Sequence, residues 1–246
     1  MMVFTANYKM EKRIFDTPQA TARGFAEHFL KLHKENDKLS IALSGGSTPK
    51  ILFDLLASEF KADFDLSKIH LYWGDERCVP PTDDDSNYKM TVDHLISEID
   101  IPSSNVHRVL GENDPEGEAI RYGEKLANDL SEQVGLPVFD IVLLGIGGDG
   151  HTASIFPHEM GLMTDKRVCV IGTNPDSGQK RVTLTGPVIN NAKVICFLAT
   201  GNGKAEKIDE IFNKKDNYLG YPASHIHPTH GNLFWYLDQE AVSKSI

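Results

Sequence analysis

Residues 139–157 read FDIVLLGIGGDGHTASIFP, and the first seven letters of this stretch predict the fold. They are almost all apolar, which is typical of a strand buried on both faces inside a parallel sheet. Further short apolar runs alternate along the chain with longer helical patterns. This alternation indicates an α/β fold with a doubly wound, mostly parallel sheet and helices on both faces. Since no repeat or flexible linker interrupts the pattern, we expect residues 1–246 to form a single domain, with a sub-lobe in the C-terminal third left open.

The first strand is expected at residues 39–43. The segment that precedes it has the pattern of one amphipathic helix. Thr17 has the side chain of an N-cap, and Pro18 suits the first helical position. The apolar residues expected on the buried face of this helix are Ala22, Phe25, Ala26 and Phe29. Later strands are expected in KIHLYW (68–73), RVCVIG, RVTLT, KVICFLAT and NLFWYLD.

The composition restricts the kinds of partner that this protein could bind. Of the 246 residues, 40% are hydrophobic, and 35 acidic against 25 basic residues leave a formal charge of −10. This balance disfavours a nucleic-acid partner, and an anionic small molecule would need a local cluster of cations. Cys78, Cys169 and Cys196 fit neither a disulfide framework nor a zinc site. With no signal peptide and no apolar run of the ~18 residues that span a membrane, we expect a cytoplasmic protein without a membrane partner.

The second half of the opening stretch contains GIGGDG, which matches the G-x-G-x-x-G dinucleotide fingerprint. Asp165 lies 20 residues after Gly145, as that fingerprint requires. However, the match lies past the middle of the chain, and Pro157 leaves little room for a long helix that would bind pyrophosphate. The alternative is a glycine-rich turn that places Asp149 and His151 at the sheet edge. A neutral histidine beside a carboxylate suits a general base, although a structural histidine is also compatible.

The loop SGGSTPK (44–50) lies between a strand and a helix. Its two glycines allow a tight turn, and we expect Ser47 or Thr48 to cap the helix, with Pro49 at the first helical position. Free amides at a helix N-terminus form an anion site. The loop therefore predicts either a phosphate cradle or a capped turn without a ligand.

Charged residues follow other strands. Asp75, Glu76 and Arg77 come directly after KIHLYW and form either a solvated loop or part of a site at the strand end. Arg181 and Lys204 are cations near strand ends that could neutralise a phosphate. The histidines of SHIHPTH, at positions 225, 227 and 230, lack an accompanying carboxylate or cysteine cluster, so we predict a surface loop and no metal site.

Five segments together resemble the 6-phosphogluconolactonases over about residues 15–240. The combination GDER…DSNY…GDGHTASIFP carries this resemblance, whereas each glycine motif alone is not specific. The resemblance implies hydrolysis of 6-phospho-D-glucono-1,5-lactone to 6-phosphogluconate in the pentose phosphate pathway, without a metal or organic cofactor. A monomer or a small homo-oligomer is expected. The five segments are LSGGSTPK, YWGDERCVPPTDDDSNYKM, FDIVLLGIGGDGHTASIFP, KRVTLTGPVINNAKVICFLATGNGKAEKI and NLFWYLDQEA.

Two alternatives belong to the same superfamily. Glucosamine-6-phosphate deaminases share the phosphate loop and the Asp-Gly-His turn, but their pattern carries a Glu five residues after that His, where this chain has Phe156. They also read Met-Asp-Glu-Tyr in place of GDER. A non-enzymatic sugar-phosphate sensor would need an N-terminal helix-turn-helix. Both departures from the deaminase pattern favour the lactonase.

The resemblance assigns roles to individual residues. We expect His151 to take a proton from water and Asp149 to orient it. Arg77, with backbone amides of the glycine turn, would stabilise the oxyanion, and Asp75 would position Arg77 or a sugar hydroxyl. The loop before Arg181 lacks the proline run usual in the family, which leaves open whether Lys180 reaches the site. The residues expected to bind the 6-phosphate are Ser44, Gly45, Gly46, Ser47, Thr48, Arg181 and Lys204.

Overall fold

Six parallel strands form the centre of the computed structural model, which describes residues 9–215 and 217–245. The strands are β1 (Lys9–Phe15), β2 (Leu39–Leu43), β3 (Ile69–Trp73), β4 (Asp75–Arg77), β5 (Ser131–Gln133), β6 (Leu136–Val138), β7 (Ile141–Leu144), β8 (Cys169–Thr173), β9 (Lys180–Leu184), β10 (Val194–Ala199) and β11 (Asn232–Asp238). The helices are α1 (Pro18–Glu35), α2 (Ser47–Leu55), α3 (Asn87–His94), α4 (Pro115–Asp129), α5 (Gly186–Asn190) and α6 (Ala205–Asn213). The central sheet has the order β1-β11-β10-β7-β2-β3.

The strand order reverses at the middle of this sheet. The chain runs from β1 through β2 to β3 in one direction, and from β3 back through β7 and β10 to β11 in the other. Because crossover connections are right-handed, α1 and α2 cover one face of the sheet, and α3 packs against α2. Helix α6 lies on the opposite face, where its Phe212 contacts Trp235. This is the predicted doubly wound parallel fold. The reversal lies between the neighbouring strands β2 and β7, and ligands of open α/β sheets bind at the carboxyl ends of strands beside such a reversal.

Helix α1 begins as predicted, but the segment before it differs. The Thr17 side chain accepts a hydrogen bond from the Ala20 amide at 3.1 Å, and Pro18 is the first helical residue. The prediction of a single helix before the first strand is wrong, because β1 precedes α1 and pairs with β11. Its sequence KMEKRIF has four charged residues among seven, and the strand lies at the exposed edge of the sheet. It therefore lacks the continuous apolar run by which the buried strands were recognised.

A second sheet lies beside the first. Strands β4, β9 and β8 form three antiparallel strands, so two of the predicted strands do not continue the parallel series. The residues Asp75–Arg77 belong to β4 rather than to a loop, and Arg77 lies opposite Arg181 in the ladder. The apolar pattern identified the strands, but it contains no information about which strands pair. A two-stranded hairpin of β5 and β6 completes the β-structure of the described residues.

The central strands are fully buried, as the apolar run in the opening stretch predicts. Every residue of β7 and β10 is buried, and helices on both faces contribute to one continuous core. Within residues 9–215 and 217–245, we find no helix that combines the length and the apolar character needed to cross a membrane.

Candidate active site

One pocket lies at the carboxyl ends of β2, β7 and β10, where the strand order reverses, and it also contacts the small antiparallel sheet. Its cavity volume is about 180 Å³. The loops after β2 and β7, on either side of the reversal, both line the pocket. They lie close together, since a Cβ added to Gly145 would be 3.8 Å from the Ser44 hydroxyl. The predicted site residues that line it are Ser44, Gly45, Gly46, Asp75, Arg77, His151, Arg181 and Lys204.

The glycine turn after β7 brings His151 and Asp149 together. Nδ1 of His151 lies 2.6 Å from Oδ1 of Asp149, which also accepts the His151 backbone N–H at 3.1 Å. Although burial opposes it, the hydrogen bond to His151 lowers the pKa of Asp149 to about 2. The ionised carboxylate holds the ring proton on Nδ1, which leaves the lone pair on Nε2. The His151 side chain is 27% exposed, and no described residue forms a hydrogen bond with Nε2.

The glycines of this turn are needed for close packing rather than for a nucleotide. A Cβ at position 147 would lie 2.1 Å from Nδ1 of His151 and 2.5 Å from Oδ1 of Asp149. Gly150 has a φ of +88°, in the left-handed region that favours glycine. The turn leads into a 3-10 segment at Pro157–Met163 and not into a long helix. The fingerprint therefore lacks the helix N-terminus that would bind a pyrophosphate.

Two arginines meet in the pocket across the β4–β9 ladder. Nη1 of Arg77 donates to the Asp85 carbonyl at 2.6 Å, which directs that side chain. The Nε atoms of Arg77 and Arg181 are buried, and neither has a hydrogen-bond partner among the described residues. Burial, followed by the charge of Arg77, lowers the pKa of Arg181. Lys204 also lines this pocket and forms no ion pair with a described residue. Three cations against the single carboxylate of Asp75 leave the pocket lining with a net positive charge, which suits an anion.

The loop after β2 corrects the predicted helix cap. Gly46, with a φ of +110°, is the N-cap of α2, and no side chain caps the helix. Ser47 is the first helical residue, so neither Ser47 nor Thr48 is the cap, and Pro49 occupies the third helical position rather than the first. The Thr48 hydroxyl instead lies 2.9 Å from that of Thr200. The first amides of α2 consequently have no side-chain acceptor, which is the condition for binding an anion there.

Among the described residues, Asp75 forms no hydrogen bond or ion pair with Arg77, which was one of its two predicted roles; a contact with a sugar hydroxyl stays a prediction. Its Oδ2 accepts a hydrogen bond from the Ser154 hydroxyl at 2.6 Å, and its side chain is buried. This contact joins β4 to the segment that follows His151, so Asp75 connects the two halves of the pocket. Lys180 is exposed and pairs with Glu116 at 2.9 Å, outside the pocket lining.

Two residues of the GDER and DSNY motifs received no role in the sequence analysis. Asn87 lines the pocket, where Nδ2 donates to the Asp75 carbonyl at 2.9 Å and its side chain fills the space that a Cβ on Gly45 would need. Glu76 is buried and accepts hydrogen bonds from the backbone amides of Arg77, Asn87 and Tyr88. Burial raises the pKa of Glu76, against the effect of these donors. The signal in the sequence was a carboxylate three residues after the apolar run KIHLYW, whereas its burial is seen only in the structure.

Comparisons with known proteins identify the family of the chain. The family model described as glucosamine-6-phosphate isomerases/6-phosphogluconolactonase matches residues 16–235. The chain is 44% identical over 202 residues to a 6-phosphogluconolactonase of Treponema pallidum, which covers 82% of this chain and 84% of that protein. It is 42% identical over 229 residues to a 6-phosphogluconolactonase of Haemophilus influenzae, covering 93% and 97%. The structure of 6-phosphogluconolactonase from Trypanosoma brucei superposes with a TM-score of 0.85 at 30% identity, covering 97% and 99%.

Proposed function

The chain belongs to the family of glucosamine-6-phosphate isomerases and 6-phosphogluconolactonases, and we propose that His151 is the general base with which it hydrolyses its lactone. As a 6-phosphogluconolactonase, the enzyme converts 6-phospho-D-glucono-1,5-lactone to 6-phosphogluconate in the pentose phosphate pathway. One observation carries the residue assignment: His151 and the cations Arg77, Arg181 and Lys204 line the same pocket. A base and an anion site within one pocket fit a substrate that carries a phosphate at one end and a reactive carbonyl at the other.

The phosphate is bound by Arg181 and Lys204 together with the Ser44–Gly46 turn and the first amides of α2, at Ser47 and Thr48. The unpaired Nε of Arg181 and the uncapped start of α2 support this assignment. Local cations outweigh the net charge of −10 because diffuse surface charge is screened over ~10 Å. Since the phosphate is remote from the reacting carbon, its binding energy orients the lactone rather than acting on the bond.

The chemical step begins at Nε2 of His151, the ring nitrogen that Asp149 leaves without a proton. Nε2 takes a proton from water as the water oxygen forms a bond to the lactone carbonyl carbon. Asp149 stabilises the imidazolium, and Arg77 with the amides of the glycine turn stabilises the oxyanion. When the oxyanion collapses, the bond from C1 to the ring oxygen breaks, and His151 returns its proton to that oxygen. Oδ1 of Asp75, the oxygen that does not accept from Ser154, accepts a hydrogen bond from a sugar hydroxyl.

The test is an assay of purified protein with the lactone, corrected for spontaneous hydrolysis. We expect His151→Ala to bind 6-phosphogluconate in calorimetry but to lose at least ~10²-fold in kcat. Turnover that survives this substitution would reassign the base. A parallel assay with glucosamine 6-phosphate tests the deaminase alternative, for which released ammonia would be the decisive product.

The phosphate assignment has a separate test. Arg181→Ala should raise KM for the phosphorylated lactone by at least about tenfold, because charge-assisted hydrogen bonds to the phosphate are lost. Hydrolysis of unphosphorylated gluconolactone should change little. Arg167→Ala is the matched control, since Arg167 is exposed and pairs with Asp165. An equal loss on both substrates would show that Arg181 acts in the chemical step or in folding instead.

A further inference from the structure

The side chain of Phe156 contacts two groups of the proposed active site. Its ring centroid lies 4.7 Å from that of His151, with 46° between the ring planes. The guanidinium carbon of Arg181 lies over the same ring, 5.6 Å from its centroid. The Phe156 side chain is 1% exposed and does not line the pocket. One buried ring therefore touches both the proposed base and a proposed phosphate ligand without reaching the substrate.

A tight turn brings the rings of His151 and Phe156 together although they are five residues apart. The backbone N–H of Ile155 donates to the Thr152 carbonyl at 3.0 Å, and Ala153 has a φ of +49°. A left-handed conformation at a residue with a Cβ persists only where the surrounding structure holds it. Ring contact between residues 151 and 156 is thus built into the backbone of this turn.

The Phe156 ring also packs against the guanidinium of Arg181. Within residues 9–215 and 217–245, no carboxylate forms an ion pair with Arg181, and its buried Nε has no hydrogen-bond partner. A cation over the face of an aromatic ring is attracted by the negative potential of that face. Phe156 therefore orients the Arg181 side chain while leaving its N–H groups free for an anion.

We propose that Phe156 is a positioning residue, an inference that rests on the function proposed above. Its ring holds the imidazole of His151 and the guanidinium of Arg181 at one separation and orientation, so that a single substrate meets both. Removing the ring should release both groups at once. The resulting change in kcat and KM differs from the effect of a cavity elsewhere in the core, which lowers the stability and leaves both kinetic constants unchanged.

The test replaces Phe156 by Leu, which keeps an apolar side chain but removes the aromatic face. With the phosphorylated lactone, we expect kcat to fall and KM to rise, each by about tenfold. With unphosphorylated gluconolactone, only kcat should fall. Phe156→Tyr retains the ring and should recover most of both losses. Phe25→Leu, at an equally buried position on α1, is the control and should lower the melting temperature only.

A double substitution gives the sharpest outcome. In an Arg181→Ala background, Phe156→Leu should still lower kcat but no longer raise KM, because the group that the ring orients is absent. The inference is overturned if Phe156→Leu behaves like Phe25→Leu, with kcat and KM within about twofold of the parent. If Phe156→Leu does not fold, Phe156→Met replaces it in the same kinetic test. This outcome is separate from failure of the proposed function, which would appear as activity retained by His151→Ala.

Discussion

The imidazole of His151 is held by contacts that leave little freedom on the Nδ1 side. Asp149 accepts from Nδ1, and Gly147 packs so closely that it has no room for a side chain. The neighbouring Gly148 is exposed, and a Cβ there would be 3.6 Å from the nearest atom, the Gly203 carbonyl oxygen. Two adjacent glycines thus differ sharply in their tolerance of a methyl group.

We predict that Gly147→Ala lowers kcat by about 10²-fold, because the added methyl group must displace the imidazole or the carboxylate. Gly148→Ala, the adjacent control, should keep kcat within about twofold. Steady-state kinetics of both variants, with melting temperatures to establish folding, measure this. Equal activity of the two variants would mean that the geometry of the Asp149–His151 pair does not limit turnover.

The buried ring of His107 makes the stability of the protein decrease as the pH falls. Burial, followed by the charge of Lys125, lowers the pKa of His107 to about 4, against the opposing charge of Asp129. Its ring stacks on Tyr72 and lies 3.0 Å from the His70 ring nitrogen. In the unfolded chain the pKa is about 6.5, so the unfolded state binds the proton first as the pH falls. Stability is therefore full above about pH 6.5 and is lost between about pH 6.5 and pH 4.

We predict that His107→Gln flattens this pH dependence by up to about 3 kcal/mol in the free energy of unfolding. Urea unfolding at pH 7 and at pH 4.5 measures the difference. A residual slope should remain, because burial also lowers the pKa of His28 to about 4. The exposed His230 provides the control substitution, His230→Gln. An unchanged slope in His107→Gln would assign the pH dependence to other groups.

At the scale of elements, the buried carboxylate of Glu76 fastens helix α3 to strand β4. Its two oxygens accept from the amides of Asn87 and Tyr88 at 2.8 and 2.7 Å and from the Ser86 hydroxyl at 3.1 Å. This anchor fixes the start of α3, from which Asn87 enters the pocket, and the segment whose Asp85 carbonyl directs Arg77. The buried carboxylate of Glu76 thus supports the side of the pocket that Asn87 and Arg77 line.

We predict that Glu76→Gln destabilises the protein by on the order of 2 to 4 kcal/mol, because an amide NH₂ would face backbone donors. KM should also rise, since the start of α3 and the Arg77 side chain lose their common anchor. Chemical denaturation and kinetics measure the two effects. Glu98→Gln, at an exposed position just after α3, is the control and should change neither.

At the scale of the whole molecule, the pocket lies where the parallel sheet meets the antiparallel sheet. Ser44 and His151 follow strands of the first, whereas Arg77 and Arg181 belong to strands of the second. We propose that the chain unfolds as one domain, because separating the sheets would break the core that both share. A ligand that bridges them should then stabilise the entire fold.

Calorimetry should show one unfolding transition, which 6-phosphogluconate shifts upward without splitting it. At a ligand concentration of about 100 times Kd, the stabilisation is about 2.7 kcal/mol. Gluconate without the phosphate should shift the transition far less at the same concentration. A second transition that does not respond to the ligand would show that part of the chain unfolds as a separate unit.

Much of the fold could be predicted because burial leaves a direct pattern in the sequence. The apolar runs of β2, β7 and β10 predicted a parallel sheet, and Thr17 with Pro18 predicted the start of α1. Strand β1 was missed because it lies at an edge, where four charged residues among its seven interrupt the apolar pattern. The predicted cap at Ser47 or Thr48 was wrong because residue type alone does not show that Gly46 would take a left-handed conformation.

The sequence by itself determined which residue types stand near the strand ends: a histidine beside an aspartate, several cations and a glycine-rich loop. Only the tertiary structure decided which of them meet. Arg77 lies opposite Arg181 in the β4–β9 ladder, and Phe156 packs against His151. Asp75 points toward Ser154, and Lys180 points away from the pocket. The physical reason is that local periodicity reports burial, whereas strand pairing and side-chain contacts arise between segments that are distant in the chain.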